Sequence, residues 1–331
     1  MPVPRYLRLA ALSLLLSSLT FASGRLDLGG LVLVLSDAPA AQIFHIVDQL
    51  SQWDVYAHKQ YVRWAGTTKL LDERDRELLL QHATMRKERG WGHGFEQAFL
   101  VDDSIENAAA RAIAEGLLSE TEANTERDIL LHFAPKLQPL LRLRQPKITG
   151  LEQQLQSEQA RLSPLVRQMA RFAEIKDPPV VKVFLVANTE ERSGGGEANG
   201  GRLVVEVPSP DTIGALLHES LHRLLEPQQA LIRSAADSAG LDFTQLNEGI
   251  AYALYPGITA DTETGDTLIE QLVRMQLRGA PPSDRYLQFD LIAAVIRPLL
   301  KAALAHNETI AAFLPRATAK WRSIAPRPLP K

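Results

Sequence analysis

The feature that most constrains this chain is a change of periodicity at Asp177-Pro178-Pro179. From about residue 40 to 175, apolar residues return every three or four positions, the spacing that lines one face of a helix. AAQIFHIVDQLSQWDVYAHKQYVRWAG, DERDRELLLQHATMRKER and the stretch from SIENAAARAIAEG to LLRLR read in this way. Pro135, Pro139 and Pro146 are expected to divide or end the last of these, and Pro164 to kink or split the next helix. Beyond the break, VVKVFLVAN (180–188) and GRLVVEV (201–207) are β-rich runs, joined by TEERSGGGEANGG, which is expected to be a mobile loop. Residues 25–37 read as either a strand or an ordered arm. Helical periodicity then returns at about 212–226, where Asp211 or Thr212 can cap, at 229–238, at 244–255 and from Asp284 to His306, followed by a loose tail from Ala325. The expected class is therefore α+β: a mainly helical region over 25–176, then 177–331 with a small sheet and helices.

Arg5 and Arg8 precede LAALSLLLSSLTFASG, a short apolar run ending in small residues. This is the pattern of a cleaved secretory signal over residues 1–24, and the run falls short of the roughly 20 apolar residues of a membrane span. A periplasmic or secreted location is expected, with cell-envelope association compatible with it. The chain has no cysteine, which excludes disulfides, thiolate nucleophiles and Cys-ligated metals. A net charge of -3 without a basic stripe argues against a nucleic-acid partner. No G-x-S-x-G elbow is present, and the Gly-rich stretch lacks the Gly-Lys-Ser/Thr of a phosphate loop.

The chemistry concentrates in LLHESLHRLLEP. His218 and His222 are four residues apart, so a helix puts both imidazoles on one side, one turn apart. Neutral imidazoles suit Zn²⁺, and Glu219 beside the first can act as general base to a water that the metal polarises. A third ligand is available at Glu248 in QLNEGIAYALYPG, with Gly249 and Ala251 keeping that helix slim. A developing oxyanion needs a further donor. Tyr252, four residues after Glu248, is first in order, then Tyr286, then His306; Tyr255 and Arg285 are also within the segments that can supply one. His45, His58, His82 and His132 lie in the helical scaffold without ligand spacing. His93, in WGHGF, can line a groove but reads more simply as a packed turn.

HESLH followed by NEGIAY resembles the zincin metallopeptidases of the gluzincin type. The resemblance covers about residues 180–256 and implies His218, His222 and Glu248 as zinc ligands with Glu219 as the base. Position 252 is Tyr where some members of that group carry an Asp after the third ligand. The resemblance also implies a strand at the upper edge of the cleft, a place that GRLVVEV fits, where an extended substrate can pair by β-augmentation. The implied function is zinc-dependent hydrolysis of peptides or proteins by an exported enzyme. The rival readings are hydrolysis of another amide, such as a peptidoglycan crosslink peptide, and a non-catalytic binding protein that retains the fold.

Overall fold

The computed structural model describes residues 24–92, 94–199, 201–254, 266–278 and 285–325. The expected signal up to residue 23, His93, Tyr255, the stop at Pro256-Gly257, Asp284 and the tail beyond Ala325 lie outside the described residues. No described helix is long and apolar enough to cross a membrane. The architecture is mostly helical with one small mixed sheet, an α+β arrangement.

Among the described residues the sheet has five strands: β1 (Arg25–Asp27), β2 (Val32–Ser36), β3 (Val180–Ala187), β4 (Gly196–Asn199) and β5 (Arg202–Val207), in the order β1-β2-β3-β5-β4. β2, β3 and β5 run parallel, with Val32 opposite Val180 and Lys182 opposite Arg202. β1 and β4 pair antiparallel at the two ends. Residues 25–36 are thus strands of the same sheet as 180–207, so the sheet draws on both sides of residue 176. Two expectations are overturned. GRLVVEV is not an edge strand, because β5 lies between β3 and β4. The edge is β4, formed by residues of the Gly-rich stretch that reads as a loop. Glycine and alanine have little strand propensity of their own, so β4 owes its conformation to pairing with β5.

Because strand side chains alternate, the sheet presents two different faces. Val181, Val183, Leu185, Leu203 and Val205 join one apolar core; Phe184, Val186 and Val204 join another. The first core is packed by α7 (Thr212–Leu225), α8 (Gln229–Ala239), α9 (Phe243–Leu254), α11 (Arg285–Ala305) and α12 (Ile310–Ile324). A further helix, α10, spans Asp266–Arg278 and adds Val273 to this core. The second core is packed by α1 (Pro39–Ser51), α2 (Lys59–Thr67), α3 (Glu73–Arg89), α4 (Phe95–Phe99) and α5 (Ile105–Ala114).

One helix, α6 (Glu120–Phe172), serves both cores: Phe133, Leu137 and Leu140 pack in the second, Leu155, Val166 and Met169 in the first. The expected division at Pro135, Pro139, Pro146 and Pro164 does not occur; all four lie inside this helix. Each faces solvent, where the carbonyl deprived of its donor meets water, while the opposite stripe stays continuously buried.

The second core encloses an ionic network that fixes α1 to α3. Asp48 accepts from the indole N–H of Trp53 at 2.9 Å and from Arg86 Nε at 2.6 Å, and His82 lies between Asp48 and Glu126 at 3.0 and 2.9 Å. Burial alone would lower the His82 pKa, but the charges and hydrogen bonds of Glu126 and Asp48 outweigh it and raise it from 6.5 to about 9. A raised folded-state pKa contributes stability that is complete below 6.5 and is lost as pH rises through about 9. Urea unfolding followed from pH 6.5 to 9 is therefore expected to show falling stability, with about 3 kcal/mol from this group. His82→Gln is expected to flatten that slope.

Candidate metal centre

Two helices, α7 and α9, converge on one point beside the sheet. α7 is started by Asp211, whose Oδ1 accepts from the Gly214 N–H at 2.9 Å, and Leu216, Leu217, Leu221 and Leu224 bury its inner face. The i,i+4 spacing then turns His218 and His222 to the same outer side, their Nε2 atoms 3.2 Å apart. α8 ends at Gly240, which takes a left-handed φ of 71°, and a reciprocal cap between Asp242 and Gln245 starts α9. That register carries Glu248 to the histidines: its carboxylate oxygens lie 3.3 Å from His218 Nε2 and 3.4 Å from His222 Nε2. Gly249 lets α9 and α11 approach, since a Cβ there would lie 2.4 Å from Ile292 Cγ2. The bulk it removes is thus at a helix contact rather than at the ligand.

The donor set fits a tetrahedral divalent ion. Zinc bonds of about 2.0–2.1 Å at tetrahedral angles put neighbouring ligand atoms about 3.3 Å apart. The two Nε2 atoms are 3.2 Å apart, and each has one Glu248 oxygen near that spacing: Oε2 lies 3.3 Å from His218 and Oε1 lies 3.4 Å from His222. The His218, His222 and Glu248 group can therefore hold a metal ion. Burial would raise the Glu248 carboxyl, but the charge of His222 and hydrogen bonds from both histidines hold it well below its ordinary value. The amide of Asn247 lies 2.9 Å from His222 Nδ1. With its oxygen turned to accept from Nδ1–H, that amide leaves the Nε2 lone pair free for a metal. Sequence reasoning missed Asn247, although it adjoins Glu248.

Glu219 lies beside the trio but is not part of it. It is buried under β4: a Cβ on Gly196 would stand 2.7 Å from Glu219 Cγ. Burial pushes the Glu219 carboxyl up to about 7; His218 opposes the rise, while Glu248 and Glu197 add to it. The Tyr252 ring stands edge-on to His218 at 4.9 Å, and burial raises its hydroxyl pKa. Tyr286 lines the same cleft, half exposed, with its ring against Phe289. His306 is exposed in the turn after α11 and is not among the cleft residues.

The trio opens into a cleft of about 1090 Å³ that passes around the edge of β4. Its far wall comes from the helical N-terminal region, through Tyr56, His58 and Trp91. That region reads from sequence as a scaffold, and His58 as one of its structural histidines. No family model matches this chain, and no curated protein or solved structure matches it.

Elemental analysis of the purified protein is expected to find one divalent ion per chain, lost in Glu248→Ala. Asn247→Ala should weaken metal affinity about 10- to 100-fold while leaving the fold intact by circular dichroism.

Proposed function

We propose that this protein is an exported zinc-dependent peptidase of the gluzincin type. One observation supports this most: two imidazoles and a carboxylate brought within metal-binding reach of one another, with a buried carboxyl beside them and a strand edge running past. Zinc held by His218, His222 and Glu248 supplies Lewis acidity, polarising a carbonyl and making a water more acidic.

The chain's own groups do the rest. The outer edge of β4, where the Ala198 N–H donates to Glu219, offers its remaining backbone groups to an extended peptide, which places a peptide carbonyl over the histidines. Gly196 presents no side chain on that flank, which lets Glu219 pack directly beneath the strand. Glu219 takes the proton of the attacking water and passes it to the leaving amine. The hydroxyl of Tyr252, whose ring lies against His218, donates to the developing oxyanion. Tyr286, on the same side of the cleft, is the second donor in order.

Purified protein is expected to cleave peptides in a mixed library and to stop when a chelator is added. Glu219→Gln should lower kcat by about 10²- to 10⁴-fold at unchanged zinc content. Tyr252→Phe should lower kcat by about 10²- to 10³-fold with little change in KM. Full turnover by Glu219→Gln at equal zinc would refute the mechanism.

A further inference from the structure

His58 is the cleft residue that neither the zinc site nor the base explains. Its ring is partly exposed, with 28% of the side chain accessible, and it lines the cleft. Nδ1 lies 2.9 Å from Oε1 of Glu206, a carboxylate that is 1% exposed. Every other acceptor position of Glu206 is also used: His45 Nε2 lies 3.1 Å from Oε1, while Gln60 and the Gly195 N–H donate to Oε2 at 3.3 and 3.0 Å. The nearby Glu197 carboxylate is held by Gln49 at 3.1 Å and by His45 at 3.4 Å. Nε2 of His58 has no partner among the described residues. Burial would lower the His58 pKa, but the hydrogen bond and charge of Glu206 outweigh that and raise it. Paired with Glu206 through Nδ1, the ring is held in place, and in its protonated form it carries Nε2–H as a donor.

The sheet register says what meets this donor. Gly196 pairs with Val205, and its missing Cβ points to Glu219 on the zinc face. Gly195 exchanges its carbonyl with the Glu206 N–H at 3.0 Å, and a Cβ on it would lie 3.6 Å from His58 Cε1. Consecutive residues of the edge therefore face Glu219 and His58 in turn. A peptide paired with β4 alternates in the same way, so the residue next to the one beside Glu219 directs its side chain toward His58. Tyr56 and Trp91 line the same cleft.

We infer that His58, held by Glu206, is a specificity-determining residue that binds a carboxylate of the peptide substrate on the flank of β4 opposite the zinc ligands. The inference rests on the placement of the peptide along β4 that the peptidase reading requires. An imidazolium N–H matches a carboxylate as a charge-assisted hydrogen bond, and a neutral amide of the same shape only as an ordinary one. The carboxylate is a side chain of Asp or Glu, or the peptide's own C-terminus.

The test is cleavage-site profiling of a peptide library by mass spectrometry, with zinc-loaded wild type and His58→Gln compared at equal zinc content. Sites with Asp or Glu at one fixed distance from the cut should be enriched for wild type. On matched peptides, replacing that Glu by Gln should raise KM about 10- to 100-fold with kcat little changed. His58→Gln should erase the difference by losing the Glu peptide's advantage, while the Gln peptide is cut as before. Free and amidated C-termini separate a terminal from a side-chain carboxylate. Absence of acidic preference in wild type, or its survival in His58→Gln, overturns the inference. If the wild type cuts nothing, the library is passed over immobilised zinc-loaded Glu219→Gln protein and the retained peptides are sequenced. Carboxylate enrichment that the Glu219→Gln/His58→Gln double variant lacks then upholds the role of His58 while the peptidase reading fails; no enrichment overturns the role of His58 as well.

Discussion

The carboxylate of Glu206 is the constraint around which this molecule is arranged. A charge with 1% exposure is strongly unfavourable unless its oxygens are occupied by donors. Those donors come from His45 on α1, from His58 in the loop before α2, from Gln60 on α2, and from the backbone of Gly195 just before β4. One buried group therefore ties the N-terminal helices to the glycine-rich edge of the sheet. Burial would push its pKa up, but the hydrogen bonds and charges of the two histidines hold it well below the ordinary carboxylate range. Replacing either histidine by a residue without a donor would leave part of that charge unmatched, so the far wall of the cleft and the path of β4 depend on the same contacts.

The cleft follows from where the sheet ends. Each face of the sheet carries its own apolar core, one under the HESLH helix and one under the N-terminal helices. Among the described residues, the groove lies at the β4 edge, lined by both packed layers. This explains how a region with no catalytic motif of its own reaches the same space as the metal ligands.

What was legible in the sequence was local. His218, Glu219 and His222 share one helix at a spacing that fixes their geometry, and Glu248 lies on a second helix that helical periodicity places at about 244–255. The β3 and β5 runs were legible because β-branched residues dominate them. β4 was not, because GEAN has no strand signal apart from its partner. The continuity of α6 was hidden by four prolines, each of which argues locally for a break and is outweighed by a buried stripe spanning two cores. His58 was hidden for a different reason: its partner Glu206 lies 148 residues away, and only the folded chain brings them together.

The helix that crosses both cores has a further consequence. Loss of either core strips half of α6 of its apolar cover, and a helix carrying prolines at positions 135, 139, 146 and 164 has poor intrinsic propensity to persist alone. The two layers are thereby coupled in cooperativity as well as in space: α6 makes them one folding unit, and the groove at the sheet edge is preserved or lost with the whole.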